Sequence, residues 1–194
     1  MSTQAKTFLT EAEYLELERQ TDDRNEYFGG EMFAMSRGTA WHAWIIGNVV
    51  RELGQQLKRK PCRVSPSEVR LKTPAGLFTY PDVMVVCGDP QFADDRKDTL
   101  LNPVVIVEVL SPSTRDYDRG QKFQFYRSVP SLAEYVAVAQ DTPHVELYTR
   151  QTDHRWLLTE FEDLGQSVEL SSIGCVLPLS EVYDKIDWAT AEAG

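Results

Sequence analysis

The segment Pro103-Val-Val-Ile-Val-Glu-Val-Leu110 constrains this chain more than any other. A short, unbroken run of branched aliphatics reads as a strand covered on both faces, yet Glu108 stands inside it. An ionised carboxylate there is costly unless it pairs with a cation or binds a metal. Strand side chains alternate, so Ile106, Glu108 and Leu110 share one face and Val105, Val107 and Val109 the other. A second run of this kind, Tyr80-Pro-Asp-Val-Met-Val-Val86, sets Asp82 at the mouth of its strand. Side-by-side pairing of the two strands would bring Asp82 and Glu108 together at their ends.

Two carboxylates that close repel, and each raises the pKa of the other unless a cation lies between them. Mg²⁺ suits such a pair, with Mn²⁺ as a substitute, because it takes one or two carboxylates and leaves room for water and phosphate oxygens. An ion so held lowers the pKa of a bound water and stabilises a phosphodiester under in-line attack. The following segment, about Arg115 to Ser128, reads as a helix with Arg115, Asp118, Arg119, Lys122 and Tyr126 on one face. Turned toward the acids, that face would let Lys122 orient water or steady the phosphorane. Arg115 and Arg119 would hold flanking phosphates.

Each residue alone has a plainer use. Asp82 caps a Pro-Asp turn, Glu108 forms a buried ion pair with Arg70 or Lys122, and Lys122 forms a solvated pair with Asp118. Their joint occurrence favours a site. His42 is either a core histidine bonded to backbone or a ring reaching that site from a covering helix. Glu68 is either a third acid near the ion or a solvent-facing strand residue. Glu31 belongs to a hairpin, and Trp41 and Trp44 read as packing residues.

The 194 residues fit one domain spanning 1–194, a mixed sheet with a few helices. Thr10 and Glu13 form a capping box for a short helix, and Gly29-Gly30 turns a hairpin over Asn25–Met35. The longest helix runs from Trp41 to about Arg59, with an apolar stripe of His42, Ile46, Val49, Val50, Leu53 and Leu57, and Pro61 ends it. Strands are expected around Cys62–Leu71, Phe78–Val86, Glu134–Ala139, Val145–Thr149 and Trp156–Phe161, with β structure over Val168–Leu177. No apolar run is long enough to span a membrane. Cys62, Cys87 and Cys175, without C-x-x-C spacing, read as reduced residues of a cytoplasmic protein. The net charge of −10 weighs against a protein that coats nucleic acid by overall attraction.

The pattern Pro81-Asp82, then Glu108-Val-Leu110-Ser-Pro-Ser-Thr114, then Asp118 and Lys122, resembles the PD-(D/E)XK nuclease superfamily. Within it the chain is similar to the Uma-type restriction-endonuclease-like family, from the Glu-Tyr-x-x-Gly-Glu hairpin at Glu26–Glu31 through Glu134-Tyr-Val. The superfamily's usual lysine lies two residues after the second acid, where this chain has Leu110. In the Uma-type pattern it comes from the next helix, as Lys122 does. The resemblance implies an α/β restriction-endonuclease-like fold, a central mixed sheet flanked by helices. It implies Mg²⁺-dependent hydrolysis of DNA phosphodiester bonds. Asp82 and Glu108 would hold the ion with the Val109 carbonyl, and Lys122 would be the catalytic lysine. A homodimer is expected, since two copies of one site suit the two strands of a duplex. The alternative is a catalytically silent domain of the same fold that binds nucleic acid or a protein.

Overall fold

The computed structural model describes residues 8–35 and 38–188. Helix α1 (Glu11–Glu18) starts at the expected box, with the Thr10 side chain accepting from the Glu13 amide and the Glu13 carboxylate accepting from the Thr10 amide. Strands β1 (Asn25–Phe28) and β2 (Glu31–Ala34) form the hairpin, and Gly29 and Gly30 take φ of 60° and 91°, where a side chain would be strained. Helix α2 (Ala40–Leu57) buries Ile45, Asn48, Val49, Leu53 and Leu57. The expected stripe is therefore rotated by about one residue, so that Ile45 is fully buried while Ile46 and Val50 are half-buried. Apolar pairs at 45–46 and 49–50 leave the rotation open until the helix meets the sheet.

Two expected strands are each broken in two. The first becomes β3 (Cys62–Pro66) and β4 (Arg70–Lys72), and the second β5 (Phe78–Thr79) and β6 (Val83–Cys87). Pro66 and Pro81 sit at the breaks, where the lack of an N–H ends a ladder. The segment 88–102 holds a short strand, β7 (Thr99–Leu100). Next come β8 (Val105–Leu110), α3 (Arg115–Tyr117), a π-helical turn (Asp118–Lys122) and α4 (Phe123–Tyr126). The chain continues through β9 (Glu134–Ala139), β10 (Val145–Arg150), β11 (Trp156–Phe161), β12 (Ser167–Leu170), β13 (Cys175–Pro178) and α5 (Leu179–Val182).

A six-stranded sheet runs β11-β10-β9-β8-β6-β3, and a five-stranded sheet runs β2-β1-β5-β4-β7. The central strand β8 pairs antiparallel with β6 and parallel with β9, so the large sheet is mixed. Every residue of β8 is buried. Its two faces divide as alternation requires: Val105, Val107 and Val109 join the core under α2, whereas Ile106 and Leu110 join Met84, Tyr126 and Tyr135. Glu108 is thus forced into the second, aromatic-rich layer. That layer is also reached by the helical segment and by β1 of the smaller sheet.

The cysteine expectation is overturned. Cys62 and Cys87 form a disulfide, and Cys175 is free and buried. The antiparallel register of β3 and β6 sets the two directly opposite, with Cα atoms 3.9 Å apart. A separation of 25 residues hides that pairing from any local motif. No helix among the described residues is long and apolar enough to cross a membrane.

Candidate active site

Strand β6 begins at Val83, opposite Val107, so Asp82 is the first residue past the ladder and lies beside Glu108. The Asp82 amide donates to Glu108 Oε2 at 3.3 Å, and the Val109 amide donates to Asp82 Oδ2 at 2.8 Å. Because the N–H and C=O of one strand residue point to the same edge, the Val109 carbonyl faces the edge where Asp82 sits. From α2, His42 Nε2 approaches Asp82 Oδ2 to 3.2 Å. The ring thus reaches the acids from the covering helix, the second of the two readings open for His42.

On the other side of Glu108, Lys122 enters from the π-helical turn. Its Nζ lies 3.0 Å from Glu108 Oε1, 3.3 Å from Glu26 Oε1 and 3.4 Å from Asp118 Oδ1. Tyr126 donates to Glu108 Oε1 at 2.5 Å, and Tyr117 donates to Glu26 Oε2 at 2.9 Å. Asp118, Lys122 and Tyr126 follow at intervals of four, so one helical row carries all three inward. A π turn over Asp118–Lys122 widens the helix at this point, a distortion frequent at functional sites.

The cluster is short of positive charge. Burial pushes the Glu108 carboxyl up to about 8, with Lys122 opposing and Asp82 and Asp118 adding to the rise. Asp118 is also raised, chiefly by burial, against the pull of Lys122. Burial alone would lower Lys122, but Glu108, Tyr126, Glu26 and Asp118 hold it well above its ordinary value. Burial likewise opposes charge on His42, and the Asp82 carboxylate reverses the balance, leaving its pKa raised. A carboxyl group buried among other acids holds its proton toward neutral pH because desolvation and like charge both disfavour its ionised form.

These groups line a cleft of about 720 Å³ whose walls include Glu26, His42, Asp82, Glu108, Asp118 and Lys122. Of the residues singled out in the sequence, Asp82, Glu108, Val109, Lys122, Asp118 and His42 converge there. Three do not. Arg115 pairs with Asp141 at 2.7 Å and Arg119 with Glu146 at 2.6 Å, and neither lines the cleft. Their helical row is turned about a quarter of the circumference from the Lys122 row, and the broad face drawn from the sequence merged the two. Glu68 sits in the turn after β3 and pairs with Arg24, largely exposed, so it is no third acid. Pro66 ends the strand before Glu68 can point inward.

Glu26 was missed as a site residue. Alternation in β1 marks only Tyr27 as the core-facing position, which leaves Glu26 reading as a solvent residue. The one signal was the Glu-Tyr-x-x-Gly-Glu hairpin carried by the resemblance. A second group of metal-ligand type, His144, Glu146 and Glu160, lies on and beside β10 and β11. Its Glu146 already takes Arg119 and a 2.8 Å bond from Tyr148.

Paired strand-end acids, a lysine facing the second acid and a mixed sheet with flanking helices define a restriction-endonuclease-like α/β protein. Its fold is that of a crystal structure from Anabaena variabilis titled a "putative nuclease belonging to DUF820". The TM-score is 0.73 at 17% identity, over 89% of this chain and 96% of that one. The chain belongs to the Uma2 family, described as "Putative restriction endonuclease", whose model matches residues 11–180. The uncharacterized Synechocystis protein sll1609 is 36% identical over 84% of this chain and 91% of its own length. A second Synechocystis protein, slr1290, is 34% identical over 90% and 91%.

Proposed function

We propose that this chain is a divalent-ion-dependent endonuclease that hydrolyses DNA phosphodiester bonds. The observation that carries the reading is the convergence, in one cleft, of Asp82, Glu108 and Lys122, 26 and 14 residues apart along the chain. Asp82, Glu108 and the Val109 carbonyl are hard oxygen donors, the set that suits Mg²⁺ or Mn²⁺. Proton retention by Glu108 marks the place where positive charge is wanting. An ion held there supplies a bound water of lowered pKa and positive charge beside the phosphate.

The chain's own groups supply the rest. Lys122 presents three N–H donors, and three carboxylates lie within 3.4 Å of its Nζ. We assign the donor shared with Glu108 to the attacking water or a phosphate oxygen, while Glu26 and Asp118 keep the ammonium in place. His42 and the Val109 amide fix the rotamer of Asp82, as outer partners of a ligating carboxylate do. Family membership and the shared fold support the same class of chemistry.

Titration with Mg²⁺ or Mn²⁺ tests the ion site. Wild type is expected to bind at least tenfold more tightly than Asp82→Ala, and equal binding by both would remove the basis of the assignment. The homodimer belongs to this proposal as well. Edge strand β11, with Leu157 and Leu158 exposed, offers a second copy one open edge of the large sheet. Sedimentation showing only a monomer at micromolar concentration would sink it.

The silent-domain reading draws on one observation, that three carboxylates lie within 3.4 Å of Lys122 Nζ. Its test is DNA cleavage by wild type and the Lys122 variants.

A further inference from the structure

The same cleft carries aromatic side chains that hydrolysis does not use. Along β1, Glu26 and Phe28 project to one face while Tyr27 projects to the other and stacks on Tyr14. The β1–β2 register sets Phe33 directly opposite Glu26, hence on that same face and within about 5 Å at Cβ. Phe28 meets Phe125 of α4 with ring centroids 4.5 Å apart. All three rings line the cleft, yet Phe28 is 37% exposed and Phe33 49%. Exposed rings are ordinary when scattered. Here they flank the glutamate that holds Lys122.

Cations are scarce among the described residues around them. Among the described lining residues Lys122 carries the one Lys or Arg charge, and it is buried among carboxylates. Arg115 and Arg119 are committed to Asp141 and Glu146 outside the cleft. Duplex DNA is gripped by neutralising many phosphates at once, which the described lining residues and a net charge of −10 do not provide. An unpaired strand is held differently, by stacking its bases on aromatic faces.

We propose that the hairpin face bearing Phe28 and Phe33, with Phe125, is a stacking platform for an unpaired base. It would select single-stranded DNA and set the neighbouring phosphate toward Asp82 and Glu108. The proposal rests on the nuclease reading for what happens at the phosphate, but base binding is separable from cleavage.

The test uses a short single-stranded oligodeoxynucleotide carrying a fluorescent adenine analogue whose emission falls on stacking, and its duplex. Calcium replaces magnesium so that binding is read without turnover. The single strand is expected to bind more tightly than the duplex, with quenching. Phe33→Ala should weaken it about tenfold, Phe33→Leu nearly as much, and Phe33→Trp should restore it. Phe33 is exposed, so these variants should melt like wild type, which a thermal scan checks. Duplex binding as tight as single-strand binding would overturn the proposal. So would unchanged affinity in both Phe33→Ala and Phe28→Ala, or no binding of either form. Selective, quenched binding without cleavage in magnesium would uphold the platform and sink the nuclease reading instead.

Discussion

Lys122→Ala is expected to abolish cleavage of plasmid and single-stranded DNA by the purified protein and to destabilise the fold by about 3–5 kcal/mol. The stability loss arises because Glu108, Glu26 and Asp118 are packed around one ammonium, and its removal leaves buried acids without a partner. Urea unfolding measures it. Lys122→Arg keeps the charge but not the compact point geometry, so it is expected to fold and still lose at least a hundredfold in rate. That second variant separates chemistry from folding should the alanine variant fail to fold. Cleavage surviving in Lys122→Arg at the wild-type rate would place the activity elsewhere or in a contaminant. Wild-type protein that binds Mg²⁺ but cuts no DNA, alongside the same loss of stability in Lys122→Ala, would establish the silent-domain reading.

In chelator, the protein should lose stability as pH rises from about 4.5 to about 8, and Mg²⁺ should flatten or reverse that slope. Glu108 keeps its proton to about 8 in the fold against an ordinary 4.5, chiefly because it is buried. Between those values the native state binds more protons than the unfolded chain, so stability falls with rising pH. At about 1.4 kcal/mol per pH unit the full fall is a few kcal/mol. Asp118, raised by burial, has the same sign. His42 agrees: a raised histidine stabilises below its unfolded pKa and loses that contribution as pH climbs through the folded one. Asp98, lowered chiefly by Arg19, works in the opposite sense but below the carboxylate range, outside this window. A bound cation removes the incentive to hold the proton, because the ligand form of Glu108 is the carboxylate. Glu108→Gln should lack the magnesium response and the Glu108 part of the slope, keeping the contributions of Asp118 and His42. A chelator profile that is flat or rises over this range would show that Glu108 is ionised in the fold without help.

The two predictions share one root, the desolvation of an acid at the centre of the sheet. On the proposed reading, that desolvation lowers stability without the ion and prepares a site with a deficit of positive charge. Such trade-offs between stability and function are common at active sites.

Much of this was legible along the chain. The division of β8 into an aliphatic face and a face bearing Glu108 follows from alternation alone, as do the Thr10–Glu13 box and the turn at Gly29-Gly30. The Lys122 row follows from helical spacing. What could not be read depends on which distant segments meet. Ile45 rather than Ile46 faces the core because of how α2 sits on the sheet. Arg115 and Arg119 find Asp141 and Glu146 on or before β10, which no spacing within their helix announces.

A carboxylate trapped in a buried strand, and acid and lysine side chains on faces able to meet, follow from the order of residues alone. Glu26 at the lysine's cage, His42 beside Asp82 and Cys62 facing Cys87 arise only when the chain has folded. The physical reason is one of range. Alternation and helical periodicity are set by backbone geometry within a few residues. Register between strands and the seating of a hairpin against a helix come from packing across the whole core.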